Sequence, residues 1–396
     1  MAAIPQIHAE ISLTVHVIRT TEELLLLGPE WKRLFHRIGC DNVFLSFEWL
    51  SEWWLHFGQE HELFVIIVRN QDGQLTALAP FYISLHGGPL RLRELNFLGD
   101  RLVGSDYLDF LVDDSYLPSA LERIHRCILG NRRLWDYIQL LDVKADSIAA
   151  TAFCTLMQAS GMTPTMTFSS LCPYQKLPRS AEEYNASLTT RFKKNLRYYS
   201  RTLQRQGEVE YLTVENAPDI ENAFNDLLRL HRSRFHSRGA DSAFLGPQAE
   251  AFHRAALRSL TKAGWTSIHM LKLNGNCIAA SYELSCGRRI SFYQSGIDPA
   301  YSRFSVGQQL IHFAIESGIE KGYSEFDFLR GNETYKSKWV DDIRNVYTLW
   351  FFDRRPKSRM ALAVKSLRTR LRSCKAKLLS LKRPADYIHS LFRSHR

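Results

Sequence analysis

A glycine at the mouth of a helix, preceded by a serine and an arginine, gathers the donors that an anionic ligand needs. Residues 289–330 of this sequence contain such a place, reading strand ("RISFYQSGID"), loop ("PAYSRFS"), helix ("GQQLIHFAIESGIEKG") and strand ("SEFDFLR"). The first N–H groups of a helix lack internal partners, and its dipole favours negative charge there. Gly307 lets a ligand approach the backbone beside Val306, while Arg303 and Ser305 add donors. A diphosphate suits this loop better than a carboxylate, because the loop is long and carries a cation. The motif alone is unspecific, since every strand–loop–helix offers an N-terminus.

The chain that must position these residues has 396 of them, which accommodates two domains. Apolar content of 45% and charged content of 23% are those of a globular protein with buried cores. No run approaches 18 apolar residues, and the N-terminus lacks the basic-then-apolar order of a secretory signal. Seven scattered cysteines without a CxxC predict a reducing, cytoplasmic setting and no metal knuckle. Fourteen Lys/Arg against one acid, Asp386, make residues 354–396 +13, which leaves residues 1–353 at −3 of the +10 total. That is not the footprint of a dedicated nucleic-acid-binding domain.

Along the chain, "ISLTVHVIR" predicts a strand and "TTEELLLLGPEWKRLFHRIG" a helical stretch with a Thr cap. "FLSFEWLSEWWLHFG" predicts a Trp-rich helix whose aromatics pack a core. Asp72 and Gly73 mark one hairpin, Asn274 and Gly275 another. "FVIIVRNQDGQLTALAPFYIS" and "IHMLKLNGNCIAASYELSC" are the same object, each preceded by two helices and followed by strand, helix and strand. Two tandem copies of one α+β unit follow from this; the alternative is unrelated domains that share a common hairpin. Prolines 164, 173 and 178 dissolve the pattern over 163–178, which predicts a domain junction. The expected units are 1–170, 175–353 and a basic amphipathic tail, 354–396.

The hairpin, the loop, the helix and the strand after it resemble the GNAT acyltransferase fold, and more closely its tandem-domain branch. That branch includes FemAB-like peptidyltransferases and the CelD/BcsL-like proteins linked to cellulose biosynthesis. The residues that carry the resemblance are "FLSFEWL" (44–50), "RFKKNLRYYSRTLQRQG" (191–207), "HRSRFHSRG" (231–239), 305–307 and above all "FDFLRGNETYKSKW" (326–339). It implies two GNAT-like domains, mixed central sheets flanked by helices, with the second copy catalytic. The first, which lacks a loop-to-helix glycine at "SDYLDFLVDD", is implied to be degenerate and to support acceptor binding. The loop departs from the family: Phe304-x-x-Gly307-x-Gln309 stands where Gln/Arg-x-x-Gly-x-Gly/Ala is expected, with Arg303 one position early.

The implied chemistry is acyl transfer from acyl-CoA, acetyl-CoA in the simplest case and with no metal, to an amine or hydroxyl of a sugar, polysaccharide or envelope precursor. A thioester carbonyl must be polarised, the acceptor deprotonated and the sulfur protonated as it leaves. The donor is expected along Gln294, Gly296 and Ile297 and around Arg303, Ser305, Val306, Gly307 and Gln308. Acid/base candidates on these strands are Glu283, Tyr293 and Asp327. Glu283 is read either as a base, direct or through water, or as a surface glutamate, and Tyr293 as a general acid or a core tyrosine. Asp327, between two phenylalanines, is either paired with Arg330 or Lys336 or part of the site. Lys336 and Arg330 are acceptor- or phosphate-binding candidates, with a solvated lysine the plainer role for Lys336. Arg238 matches a substrate-loop feature of the family.

Helix 191–206 carries a stripe, Lys194, Arg197, Arg201 and Arg205, either solvated or aimed at an anionic donor or tRNA. The tail repeats Met360, Val364, Leu367, Leu371, Cys374, Leu378 and Leu381, which suits an anionic membrane surface at the inner face, an acyl carrier protein, or packing onto the acidic body. The second function class is aminoacyl-tRNA-dependent transfer of FemAB type, the only reading that brings in a nucleic acid. The third is a non-catalytic accessory of polysaccharide synthesis.

Overall fold

The computed structural model describes residues 12–86, 90–100, 103–236, 244, 246–331, 333–340 and 342–367. The first half runs β1 (Thr14–Ile18), α1 (Thr21–Leu26), α2 (Gly28–Arg37), α3 (Phe47–Phe57), β2 (Glu62–Arg69), β3 (Leu75–Leu85), β4 (Arg93–Phe97), β5 (Leu111–Val112), α4 (Leu117–Gly130), β6 (Tyr137–Lys144), α5 (Ile148–Ala159) and β7 (Thr163–Lys176). The second runs α6 (Ala181–Ser187), α7 (Thr190–Gln204), β8 (Val209–Val214), α8 (Asp219–His236), α9 (Pro247–Lys262), β9 (Thr266–Leu273), β10 (Asn276–Cys286), β11 (Arg289–Ile297), α10 (Val306–Glu320), β12 (Glu325–Asp327) and β13 (Asp342–Phe352).

The local signals act as their chemistry requires. Thr20 caps α1 in a reciprocal box with Glu23. The stretch read as one helix breaks in two, because Pro29 has no N–H to continue α1 and instead sits in the first turn of α2. At the β9–β10 turn Asn274 and Gly275 both have positive φ, 50° and 76°, the conformation that a two-residue hairpin needs. The Trp-rich helix α3 buries Trp49 and Trp53 completely, and Trp49 stacks edge-on against Phe252 of α9, so one core joins the halves.

Both copies build the same half-sheet, β1-β2-β3-β4-β6 and β8-β9-β10-β11-β12, each with one parallel pair, β4 with β6 and β11 with β12. Their last strands are exchanged. β7 of the first half lies against β12, β13 of the second lies against β6, and the two pair antiparallel from Asp342↔Tyr174 to Phe352↔Thr163. Most of the stretch 163–178, where the periodic pattern fades and a domain junction is expected, is the fourteen-residue strand β7. Its first half is polar and largely exposed, "TPTMTFSS", so no buried face wrote an alternation into the sequence; burial begins only at Cys172.

Candidate active site

β11 and β12 run side by side for only three pairs, ending at Ser291↔Asp327. Beyond that the strands part, and among the described residues no strand covers that edge of β11. A bulge sharpens the parting: Glu283 pairs with Phe292 and Tyr282 with Gln294, which leaves Tyr293 as the extra residue. α8 and α10 close the gap from opposite faces of the sheet, α8 packing Phe224 on Tyr282 and α10 packing Ile311 and Ile315 with Phe292.

Into this gap points the N-terminus of α10. A 3-10 turn, Pro299–Phe304, delivers the chain to Ser305, which holds a left-handed backbone (φ 52°) that costs a non-glycine residue about 1 kcal/mol or more. The next backbone donors, on Val306 and Gly307, belong to the first turn of α10, where a helix supplies no acceptor of its own, whereas those of Gln308 and Gln309 return to the Ser305 carbonyl. The resulting cleft holds about 230 Å³ and is lined by Ser295, Gly296 and Ile297, by Ser305 through Gln308, and by Arg234 and Tyr335. The two glycines differ in purpose. A Cβ on Gly296 would stand 2.6 Å from the His231 backbone nitrogen, so that glycine admits α8. A Cβ on Gly307 would meet only Ile297, at 3.5 Å, so its bareness serves the cleft rather than the packing.

Residues 190–337 match the model of the acetyltransferase (GNAT) domain. The second half of the chain therefore carries a GNAT acyltransferase domain, and the cleft lies inside it. FemX shares the fold with a TM-score of 0.59 at 10% identity, over 85% of this chain and 96% of that one. L-PGS from Bacillus licheniformis does so at 0.52 and 12%, over 85% and 96%. The C-terminal domain of a protein described as a lysylphosphatidylglycerol synthetase from Agrobacterium fabrum does so at 0.53 and 10%, over 87% and 95%. At these identities the likeness is one of fold. No curated protein matches the chain in sequence.

Of the donor residues named from sequence, Gly296, Ile297, Ser305, Val306, Gly307 and Gln308 meet in the cleft of the GNAT domain. Gln294 is half-buried on the same strand, and Arg303 lies exposed over the Phe304 ring, 4.7 Å from its centroid. Arg238 lies outside the described residues; Arg234, four residues earlier in the sequence, reaches the cleft. The sequence signal for it was the run "HRSRFH" on α8.

The three acid/base candidates stand behind the cleft wall. Glu283 is fully buried rather than a surface residue, and bonds to His269 Nδ1 at 2.8 Å. Tyr293 is buried and donates its hydroxyl to the Val103 carbonyl of the first half, and burial holds its phenol well above the ordinary value. Asp327 is fully buried and accepts from Leu329 N–H (2.7 Å) and Tyr107 O–H (2.9 Å), with Arg344 at 3.3 Å. The expected pairing of Asp327 with Arg330 or Lys336 is corrected: Leu329 takes a left-handed turn (φ 56°) that swings Arg330 away to Asp106 and Asp142, each at 2.6 Å. Lys336 is buried, not solvated, and donates to the Arg330 carbonyl and Glu333 at 2.9 Å.

Burial raises the Asp327 carboxyl to about 6 against the opposing pull of Arg289, and burial with the Glu333 charge raises the Tyr335 phenol to about 12. Tyr335 thus presents a phenol that keeps its proton to the cleft, on the segment that Asp327 and Lys336 tie down. Tyr107, Asp106 and Asp142, all from the first half, were not singled out from sequence. Nothing local marks "SDY" as a partner of "DFLR" more than 200 residues away.

Proposed function

We propose that the protein transfers an acyl group, acetyl in the simplest case, from acyl-CoA to an amine or hydroxyl of a sugar, polysaccharide or other envelope precursor. The observation that carries this reading is the cleft where β11 leaves β12, lined by Val306 and Gly307 at the N-terminus of α10. In this reading the diphosphate lies on the α10 terminus and the pantetheine amides pair along the open edge of β11. Tyr335 protonates the departing sulfur. Glu283, one strand behind, takes the acceptor's proton through an intervening water, while Asp327 and Tyr293 are positioning residues. The first unit, 1–170, shapes the acceptor side through Tyr107 and Val103. The sugar-type acceptor rests on the resemblance to CelD/BcsL-like proteins, and the cytoplasmic setting on the scattered cysteines without a CxxC.

Calorimetric titration with acetyl-CoA tests the donor: binding that vanishes in Gly307→Glu supports the reading, and equal binding by the variant removes it. A second reading, aminoacyl-tRNA-dependent transfer, is supported by the shared fold with FemX and by the cationic face of α7. The third, an accessory without turnover, predicts no ligand response and co-purification with a synthase.

The tail supports a further proposal, contact with an anionic membrane at the inner face rather than an acyl carrier protein. Among the described residues no helix is long and apolar enough to cross a membrane. Residues 356–367 are helical and pack on the body through Ser358 and Ala361, while Met360 and Leu367 stay 43% and 59% exposed. The remainder of the predicted apolar stripe lies outside the described residues.

A further inference from the structure

A second cleft lies on the same helix as the first. It holds about 440 Å³ between α7 and α10, and its lining includes Arg197, Arg201, Tyr211, Gln309, Phe313 and Glu316. Gln308 lines the donor cleft and Gln309 this one, so α10 separates the two sites by the width of its own backbone. Six residues at 1.5 Å rise put Phe313 about 9 Å along the helix from Gly307.

The walls of this cleft differ in chemistry. α7 contains no acid, and among the described residues none of Arg191, Lys193, Lys194, Arg197, Arg201 or Arg205 makes an ion pair. Arg232, Arg254 and Arg258, by contrast, have carboxylate partners. Arg197 and Arg201 stand one turn apart, the spacing at which two guanidinium forks converge on one phosphate. The opposite wall is a pair of rings, Tyr211 and Phe313, with centroids 5.2 Å apart. Burial raises the Tyr211 phenol to about 12, and its hydroxyl is committed to Gln309 Oε1 at 2.7 Å, so the ring face is what the cleft sees. The one carboxylate, Glu316, is engaged by Asn185 at 2.7 Å and His312 at 3.2 Å.

Paired cations over an aromatic floor, beside an anion-binding helix end, suit a phosphorylated nucleoside. We infer that the α7–α10 cleft binds the phosphoadenosine end of the donor whose diphosphate sits at Gly307. α7 is then a donor-recognition helix, a role that compensates for the non-standard loop at Phe304. This rests on the acyl-CoA reading above.

The test is calorimetric titration of the full-length protein and its Arg197→Ala/Arg201→Ala variant with three probes: acetyl-CoA, S-acetyl-pantetheine and adenosine 3′,5′-bisphosphate. Each charge-assisted contact is worth about tenfold in affinity. The double variant should bind acetyl-CoA and the bisphosphate about 10- to 100-fold more weakly and S-acetyl-pantetheine unchanged. Arg205→Ala, on the same stripe but off the cleft lining, should leave all three unchanged. If the double variant binds acetyl-CoA like the parent, the inference falls and the acyl-CoA reading stands. If the parent binds the bisphosphate through these arginines but not acetyl-CoA, the site stands and the acyl-CoA reading falls. Binding of a ribo-trinucleotide in place of the bisphosphate overturns the inference in favour of an RNA donor.

Discussion

Asp327 should make this protein less stable as pH rises through mild acidity, the reverse of the usual behaviour of an aspartate. Its carboxyl is fully buried, and burial lifts it from 3.8 to about 6. In the unfolded chain it titrates at its ordinary value. Between the two values the folded state holds a proton that the unfolded state has released, so stability is lost as pH climbs through that window and is flat on either side. The gap corresponds to about 3 kcal/mol. Asp327→Asn removes this titration while its amide oxygen still accepts from Leu329 and Tyr107. A chain of this length has an unfolding entropy near 0.8 kcal/mol/K, so the melting temperature of Asp327→Asn relative to the parent should rise by about 3–4 °C between pH 4 and pH 7. Differential scanning calorimetry at half-unit steps reads the difference curve. A flat difference, or one that falls with pH, would refute the assignment of a raised carboxyl at this position.

Three further outcomes are expected. Gly296→Ala should lose about 1–3 kcal/mol, because its Cβ meets α8 backbone that cannot move aside, whereas Gly307→Ala should melt like the parent; matched calorimetric scans compare them. Tyr335→Phe should lower the rate of CoA release about 100-fold with acetyl-CoA affinity unchanged, as expected for a lost general acid, and an unchanged rate would exclude Tyr335 from proton transfer. Met360→Asp/Leu367→Asp should abolish sedimentation with anionic liposomes without moving the melting temperature, and deletion beyond Arg355 should abolish it as well; unchanged partition in either would remove the membrane proposal.

What the sequence revealed and what it hid divide along chain separation. The hairpin turns, the Thr20 cap, the Trp core of α3 and the cluster around Gly307 are encoded within a few residues of themselves, by φ requirements, side-chain oxygens and apolar spacing. Sequence alone yielded the strand that carries Glu283 but not its burial, because both faces of that strand are covered and alternation no longer distinguishes in from out. The partners of Asp327 and Arg330 were illegible for a different reason. They depend on a left-handed turn at Leu329, a residue type with no preference for it, and on first-half residues brought over only by the completed sheet.

That completed sheet gives the first half a structural part in the cleft. With β7 and β13 exchanged, neither half closes its own sheet: β12 finds its outer neighbour in β7, and β6 finds its neighbour in β13. The segment 328–340, which carries Tyr335 to the cleft, is anchored through Asp327 to Tyr107, through Arg330 to Asp106 and Asp142, and through the Gly331 N–H to the Leu171 carbonyl of β7. Every one of those anchors belongs to the first 176 residues. Three of the residues at this junction, Tyr107, Asp142 and Leu329, hold positive φ without being glycine, a strain that persists only where surrounding contacts over-determine it. The first half therefore acts on the cleft as a brace, fixing where the phenol of Tyr335 stands relative to the end of α10. A change deep in that brace would reach the chemistry without touching any residue that lines the cleft.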